Sequence, residues 1–224
     1  MSNDIYNDVI VKKPWGYEYL CFANKTVAIW LLRIDYNEST SMHCHPNKNT
    51  GLIVLNGSIE LSFLTNKVLL NGLKKINIFQ SRFHSSKAIS QDGAFLLEIE
   101  TPEDKNDLIR LYDNYGRENK GYEGKTNFIA KPKSAINFRK AKYAPSIVNA
   151  YGCSLQHKLL KDKSDFDYLE DEDLIVFTNG GLEAGENKKI VRPADVIDGK
   201  SLKLLSSRFI LENGTSSLII KRDI

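Results

Sequence analysis

The sequence predicts an all-β protein, built as a sandwich or a barrel. Its apolar runs are short and rich in Val, Ile, Leu and Phe, and turn-forming residues interrupt them roughly every 8–12 positions, as in such folds. Dipeptides suited to tight turns, such as Asn56-Gly57 and Asp92-Gly93, stand between the runs. Helical periodicity is weak throughout, and its best example predicts one short helix within residues 102–112.

Strand-like runs occur in both halves of the chain. They cover residues 27–32, 52–55, 59–64, 95–99, 136–138, 174–177, 207–211 and 217–220. The polar, glycine-containing stretch 117–126 predicts a boundary between a first domain at 1–120 and a second at 125–224. The charge-rich segment 161–173 predicts a solvated loop in the second domain.

The second half of the chain is similar to the first half. The matching pairs of segments are 52–57 with 174–180, 81–84 with 207–210, and 92–93 with 213–214. Each pair is separated by about 125 residues. An offset this constant predicts two related β domains, although chance similarity between short β segments is an alternative.

Composition excludes several classes of protein. The chain of 224 residues has 42% hydrophobic residues, and its formal charge of +3 is too small to indicate a nucleic-acid partner. No apolar run approaches the ~20 residues of a membrane span, so no membrane partner is expected. Residues 1–10 contain no apolar signal-peptide core. Because Cys21, Cys44 and Cys153 form no CxxC pair, we expect a reduced, cytoplasmic protein.

Histidine is scarce, and three of the four histidines fall into one pattern. His43 and His45 are two residues apart, so on a β-strand both imidazoles project from one face, about 7 Å apart along the strand. His84, on another strand, would complete a three-nitrogen metal site if the strands pair. Imidazoles suit Zn, Fe, Ni or Cu better than Mg or Ca. The alternative is two surface histidines and an unrelated third.

Segment 42–61, MHCHPNKNTGLIVLNGSIEL, resembles the first motif of the cupin family, in which an HxH pair precedes a strand and a turn glycine, here Gly57. Segment 70–84, which ends at His84, resembles the second motif more loosely, and the similarity covers roughly residues 12–117. The resemblance implies a double-stranded β-helix (jelly-roll) barrel. It also implies one divalent transition metal, such as Zn, Fe, Ni or Mn, held near the barrel mouth by His43, His45 and His84.

One position departs from the cupin motif. The resemblance places a glutamate ligand seven residues before the turn glycine, where this chain has Thr50. Three neutral histidines leave the charge of a divalent ion uncompensated and one coordination position open. Thr50, Gln80 and Asn49 are the candidate replacements for the fourth ligand. Cys44, between the two histidines, is expected to face the other side of its strand and to pack there.

The second domain lacks this constellation. Ile210 stands where the repeat would place His84, and no HxH pair precedes Gly180. His157 is isolated, which is typical of an ordinary polar or core histidine. We therefore expect the second domain to be a degenerate, metal-free barrel, so that the chain would be a bicupin.

Two flanking stretches narrow the resemblance. Lys13-Pro14-Trp15-Gly16 is similar to the KPWG opening of bacterial mannose-6-phosphate isomerase-type cupins, and segment 107–117, DLIRLYDNYGR, is similar to their ending. The order of these segments and of the histidines also matches. The resemblance implies an isomerase or epimerase acting on a sugar phosphate or related carbohydrate, in surface-polysaccharide or nucleotide-sugar metabolism.

Such chemistry requires a proton-transferring carboxylate and a group that binds an anion. Glu98, Glu100 and Glu60 are the candidate catalytic carboxylates on strands. Glu98 and Glu100 share one strand face, which could equally be a solvated outer face. Arg110 and Arg117 are the candidate substrate-binding residues, and ion pairs with Asp107 or Asp113 are the structural alternative for them.

Two other functions compete with the isomerase hypothesis. A non-catalytic carbohydrate-binding or regulatory cupin is suggested by Thr50, and an Fe(II) dioxygenase is compatible with a three-histidine site. The partner expected for each function is a small molecule. The resemblance also implies a homodimer, because exposed strand edges of such barrels are often covered by a second subunit.

Overall fold

The computed structural model describes residues 3–138, 146–185 and 188–223. The chain divides into two compact units, Met1–Asn137 and Phe138–Ile224. Strands dominate both units, and the strand pairs are antiparallel. The predicted fold class, an all-β double-stranded β-helix, is confirmed.

The first unit contains twelve strands in the described residues. They are β1 (Val9–Lys13), β2 (Gly16–Ala23), β3 (Ala28–Ile34), β4 (Met42–Cys44), β5 (Asn49–Asn56), β6 (Ser58–Phe63), β7 (Lys67–Asn71), β8 (Lys75–Ile78), β9 (His84–Ala88), β10 (Ala94–Thr101), β11 (Ile109–Tyr112) and β12 (Phe128–Ala130). Short 3-10 helices occupy Asn3–Tyr6 and Lys125–Asn127.

These strands form two sheets with the core of the unit between them. The larger sheet has the order β12-β1-β2-β3-β10-β5-β8, and the smaller sheet has the order β11-β4-β9-β6-β7. The buried apolar cluster takes Trp30 and Leu52 from the larger sheet and Ile59 and Leu61 from the smaller one. Alternating residues of β6 are buried, as the period of two in a half-buried strand requires. The sheets therefore enclose one apolar interior, with the histidines of β4 and β9 at its edge.

Gly57 lies in the tight turn that carries the chain from the larger sheet to the smaller one. Its φ is +81°, a left-handed conformation that side chains rarely adopt. A Cβ added there would lie 2.3 Å from the carbonyl oxygen of Gly93. The turn glycine of the sequence motif is thus required both by the backbone angle and by the close approach of the neighbouring loop.

The second unit contains eight strands and one α-helix in its described residues. They are β13 (Ser146–Ala150), β14 (Cys153–Leu159), β15 (Leu174–Asn179), β16 (Leu182–Ala184), β17 (Lys188–Val191), β18 (Val196–Asp198), α1 (Gly199–Ser206), β19 (Ile210–Leu211) and β20 (Ser216–Arg222). A 3-10 helix at Lys163–Phe166 interrupts the predicted loop 161–173, and Phe166 is buried.

The strand order of the second unit repeats that of the first. Its five-stranded sheet runs β13-β14-β20-β15-β18, which corresponds to β2-β3-β10-β5-β8. Its three-stranded sheet runs β17-β16-β19, which corresponds to β7-β6-β9. Ile210 begins β19 as His84 begins β9. The second unit is therefore a reduced version of the same β architecture.

Four local features differ from what the sequence predicts. The strand predicted at 136–138 is wrong, because no strand is present there and a turn and a bend at 133–135 precede these residues. The helix predicted within 102–112 is wrong, because Ile109–Tyr112 is a strand that pairs with β4. Helix α1 was not predicted, since its eight residues form only about two turns and give too little periodicity. The first unit also extends past the boundary predicted at 120–125, because β12 pairs with β1.

The longest helix in the described part of the chain has eight residues, and none there is long and apolar enough to span a membrane.

Candidate metal centre

Three histidines of the first unit converge at one end of the smaller sheet. His43 lies directly across from His84 in the β4–β9 pair, and His45 follows β4. One ligand atom from each of the three imidazoles lies within 4.8 Å of the others, and the ring centroids are 4.4 to 5.6 Å apart. In the described residues, no other group of three or more His, Cys, Asp or Glu side chains has this geometry. The structure therefore brings together the three histidines that the sequence pattern selected.

Each imidazole is oriented by a backbone carbonyl. The Nδ1 atoms of His43, His45 and His84 lie 2.8, 2.6 and 3.0 Å from the carbonyl oxygens of Ser41, Asp107 and Arg82, respectively. Because a carbonyl oxygen only accepts hydrogen bonds, each Nδ1 carries the proton and donates it. Each Nε2 is then left with a lone pair, which is the tautomer that ligates a metal.

Burial keeps these rings neutral. Desolvation lowers the pKa of His45 to about 3 and that of His84 to about 4. It also lowers the pKa of His43 well below the usual value, and the other two rings lower it further. The Nε2 of His45 is buried and has no hydrogen-bond partner among the described residues. An unpaired buried nitrogen is costly, so this donor set fits a divalent transition metal that would accept the three lone pairs.

The candidate fourth ligands lie in different environments. Thr50 is buried on β5, and its Oγ1 has no hydrogen-bond partner in the part of the chain that is described. It lies directly across from Glu100 of β10. Gln80 is exposed, and its amide donates to the backbone carbonyl of Asn47. Asn49 accepts from the backbone of Gln80, so both are engaged in holding their own loop.

A cavity lined by charged groups adjoins the histidines. Its walls include His43 and His45 together with Lys13, Glu18, Lys48, Glu98, Glu100, Lys105, Arg110 and Arg117. Apolar and aromatic side chains, including Trp15, complete the lining. So many ionisable groups in one interior require mutual pairing, because unpaired buried charges are strongly unfavourable.

The buried charges form a connected chain of ion pairs. Glu100 Oε1 lies 3.0 Å from Lys48 Nζ and 3.1 Å from Lys105 Nζ. Glu18 lies 3.5 Å from Lys105 and 3.5 Å from Lys13. Lys13 also donates to Glu123. The side chains of these residues are at most 9% exposed, so the network lies inside the fold.

Glu98 and Glu100 occupy the same face of β10, but their surroundings differ. Both face the cavity, so the alternative of a solvated outer face does not describe this strand. Two ammonium groups hold Glu100, whereas Glu98 has no hydrogen bond or ion pair among the described residues. Burial raises the pKa of Glu98, and the adjacent Glu100 raises it further. Burial also opposes ionisation of Glu100, but Lys105 and Lys48 outweigh it and lower the pKa of that carboxyl.

Glu60, the third candidate carboxylate, lies apart from this cavity. It is on β6, and it accepts a hydrogen bond of 2.7 Å from the exposed Lys67. Together with Ser62 and Lys87, it lines a separate polar groove on the smaller sheet.

The two candidate arginines line the cavity but are also held by the protein. Arg117 makes a two-point contact with Asp113, with Nη2 2.6 Å and Nε 2.9 Å from the two carboxylate oxygens. Arg110 lies across from His43 in the β11–β4 pair, and its Nη1 donates to the backbone carbonyls of Lys120 and Gly121. The Nε of Arg110 is buried without a hydrogen-bond partner among the described residues.

Sequence reasoning missed the lysines of the site. Lys48 and Lys105 are almost fully buried, although lysine is rarely buried and nothing in their local sequence distinguishes them from surface residues. Lys13 was noted in the sequence only because it belongs to the KPWG-like segment. The pairing with Glu18 and Glu100 explains why these cations are inside, and Lys48 and Glu100 are 52 residues apart in sequence.

Comparison with known proteins gives structural similarities only. No protein-family model matches the sequence, and no curated protein matches it. KdgF from Halomonas sp. is 16% identical, with a TM-score of 0.41 over 46% of this chain and 94% of that one. A conserved double-stranded β-helix domain protein from Klebsiella pneumoniae is 12% identical, with a TM-score of 0.39 over 50% and 96%.

The capsular polysaccharide assembling protein CapF from Staphylococcus aureus is 16% identical, with a TM-score of 0.41. The similarity covers 48% of this chain and 33% of CapF. Similarities of this extent carry no argument about the activity of the present chain.

Proposed function

We propose that this protein is a metal-dependent bicupin that isomerises or epimerises a sugar phosphate or a related carbohydrate. The observation that carries the proposal is the set of three neutral imidazoles whose Nδ1 atoms are held by backbone carbonyls. One ligand nitrogen from each of the three rings lies within 4.8 Å of the others, beside a cavity rich in charged groups. His43, His45 and His84 are the proposed ligands of one divalent transition metal.

A bound divalent ion would polarise a carbonyl oxygen and stabilise the negative charge that develops on it. Residues of the chain would supply the remaining functions. Glu98 and Glu100 are the carboxylates that line the cavity, and they are the candidates for moving a proton. Arg110 and Arg117 are the guanidinium groups placed to attract an anionic substrate.

The proposed substrate is a small phosphorylated sugar, as in mannose-6-phosphate isomerase-type cupins, and the proposed setting is surface-polysaccharide or nucleotide-sugar metabolism. The KPWG-like segment supports this specificity, because Lys13 and Trp15 both line the cavity. We also propose a reducing, cytoplasmic setting, which the three buried free cysteines support.

A homodimer is part of the proposal. Strand β11 is at an edge of the smaller sheet, and Ile109, Leu111 and Tyr112 on it are each more than half exposed. An apolar edge strand of this kind is commonly covered by a partner. Light scattering that gives the mass of a single chain at working concentration would rule out the dimer.

Metal analysis is the first test of the proposed function. Protein produced in medium supplemented with Zn, Fe, Ni and Mn should contain about one ion per chain, and a His43→Ala/His45→Ala variant should contain none. The matched control is His157→Ala, which removes the histidine of the second unit and should leave the metal content unchanged. Absence of metal from the wild type would refute the proposal.

Activity is the second test. The metal-loaded protein should exchange a carbon-bound proton of mannose 6-phosphate or fructose 6-phosphate with deuterated water. Saturable binding of these sugars without exchange would instead identify a carbohydrate-binding cupin. Oxygen consumption with thiol or phenolic substrates, without exchange on sugars, would identify an iron dioxygenase.

A further inference from the structure

Glu98 is a cavity carboxyl that no described residue pairs with. It faces the cavity from β10, between Trp30 of β3 and Leu52 of β5, which are its neighbours across the two strand pairs. No described residue donates a hydrogen bond to it or forms an ion pair with it. Its neighbour on the same face, Glu100, is held by two lysines. One face of β10 thus carries a carboxyl that two lysines hold and a carboxyl that no described residue holds.

We propose that Glu98 transfers the proton in this cavity. We also propose that Glu100 is a positioning residue, whose negative charge keeps Glu98 able to accept and return that proton. We further infer that the substrate is an open-chain α-hydroxy aldehyde or ketone with an anionic tail. This inference rests on the proposed function and deepens it, since it assigns one role to each carboxylate and names the chemical class of substrate.

Contacts favour Glu98 over Glu100 as the proton carrier. A general base must have a free lone pair that can reach the substrate. Glu100 Oε1 already accepts from Lys48 and Lys105, and these two ammonium groups make its carboxylate a poor proton acceptor. Glu98 is half-buried, lines the cavity and has no hydrogen-bond partner among the described residues, so a molecule in the cavity can contact it.

The charges around Glu98 come from several elements of the first unit. Glu100 lies on the same strand, Glu18 is on β2, Lys48 precedes β5, and Lys105 follows β10. Burial and the two carboxylates favour the protonated form of Glu98, and the two lysines oppose it. The net result is a raised pKa, which brings this carboxyl closer to the neutral range in which a group can both accept and return a proton.

The proposed step uses one carboxylate and balances. The Glu98 carboxylate removes the proton on C2 of an α-hydroxy aldehyde, and the electron pair of that C–H bond moves to form the C1=C2 bond of an enediolate. The C1 carbonyl oxygen takes the negative charge. Glu98 then returns the same proton to C1, while the proton of the O2 hydroxyl passes to O1. The products are the ketose and the regenerated Glu98 carboxylate, and no oxidant or reductant is needed.

Charge in and around the cavity supports an anionic substrate. Five carboxyl groups, namely Glu18, Glu98, Glu100, Asp113 and Glu123, lie beside five cations, namely Lys13, Lys48, Lys105, Arg110 and Arg117. With Glu98 ionised, this set is neutral by itself, and the buried carboxylate of Asp107, next to His45, adds one negative charge. A divalent ion on the three imidazoles would therefore leave one positive charge, which an anionic group such as a phosphate would compensate.

The test reads the protonation of Glu98 directly in the full-length chain. Carbon-13 labelling of the glutamate side chains allows each carboxyl to be titrated by NMR. We expect one carboxyl to titrate well above the usual range of glutamate, and we expect Glu98→Gln to remove that signal. Glu60→Gln is the matched control, because it removes a half-buried carboxyl outside the cavity and should leave the raised titration in place.

Glu100→Gln should move the Glu98 titration to lower pH, because it removes the nearest negative charge. If that variant does not fold, Glu98→Gln still decides the assignment, since no described residue would lose a hydrogen-bond or ion-pair partner. Survival of the raised titration in Glu98→Gln, or an ordinary titration of Glu98 in the wild type, would overturn the inference.

Turnover provides the second measurement and separates the inference from the proposed function. With mannose 6-phosphate and fructose 6-phosphate as probes, Glu98→Gln should reduce proton exchange by about 10²–10⁴-fold while metal content stays at the wild-type level. Unchanged exchange in Glu98→Gln would refute the role of Glu98. Absence of metal from the wild type would instead refute the proposed function, and absence of exchange on any aldose or ketose phosphate would refute the substrate class.

Discussion

Glu100→Gln should destabilise the first unit far more than the loss of an ordinary surface ion pair. Glu100 Oε1 lies 3.0 Å from Lys48 Nζ and 3.1 Å from Lys105 Nζ. The side chains of Glu100, Lys48 and Lys105 are 2%, 1% and 8% exposed, respectively. Removing the carboxylate charge therefore leaves two ammonium groups in the interior. Among the described residues, Lys105 has a second carboxylate, Glu18, at 3.5 Å, and Lys48 has none that close.

Breaking a buried ion pair by removing one partner costs about 3–5 kcal/mol, because the other charge stays buried without compensation. We expect a loss in this range for Glu100→Gln. Glu60→Gln is the matched control: it removes the charge from a pair in which Lys67 is 63% exposed. Exposed pairs contribute about 0–1 kcal/mol, so the control should change the free energy of unfolding by no more than that.

Urea denaturation followed by tryptophan fluorescence suits this measurement, because Trp15 and Trp30, the two tryptophans of the chain, both lie in the first unit. The double variant Lys48→Met/Glu100→Gln should recover part of the loss, since it removes one of the stranded charges. The reasoning would be refuted if Glu100→Gln cost no more than Glu60→Gln, or if the double variant were less stable than Glu100→Gln alone.

Three further predictions concern the metal centre, the turn and the second unit. His84→Ala should weaken zinc binding, measured by competition with a chelating dye, by more than the ~10–100-fold that loss of an outer-shell partner costs, whereas His157→Ala should not. Gly57→Ala should lower the urea midpoint clearly more than Gly116→Ala. Their φ values are +81° and +68°, respectively, and such angles cost roughly 1–2 kcal/mol for alanine, but of the two only Gly57 would bring the Cβ against another backbone group. The buried His157, whose pKa is lowered to about 4, should destabilise the second unit in acid. The unfolded chain takes up this proton near pH 6.5, so stability should fall from there down to about pH 4, by at most roughly 3 kcal/mol. Amide hydrogen exchange of β14 should show this loss, and His157→Gln should remove it; an identical pH profile in the variant would contradict the assignment.

Strand periodicity was enough to predict much of the fold and the grouping of two histidines. Residues two apart on a strand share a face, so His43 and His45 had to project together. The turn at Gly57 likewise predicted where two strands meet. The repeated apolar runs predicted that the second half of the chain has the same architecture as the first half. Because the two units have matching strand orders, the repeat is present in the structure as well as in the sequence.

Other local signals were ambiguous. The segment 102–112 carries apolar residues at a spacing that also fits a helix, yet Ile109–Tyr112 became a strand because β4 offers it an edge to pair with. Propensity is a weak preference that such pairing overrides. Helix α1 is held by an Asp198 side chain that accepts from the backbone of Ser201, a local device too short to be conspicuous in the sequence.

The sequence by itself determined the all-β class, the positions of the turns and the shared face of the histidine pair, because these depend on residues close together in the chain. Only the tertiary structure decided which carboxyls are inside, which lysines accompany them, and that Glu98 has no partner among the described residues while Glu100 has two. The physical reason is that burial and charge compensation belong to pairs of groups. Glu100 and Lys48 are 52 residues apart in sequence, and only the folding of β10 against β5 brings them into contact.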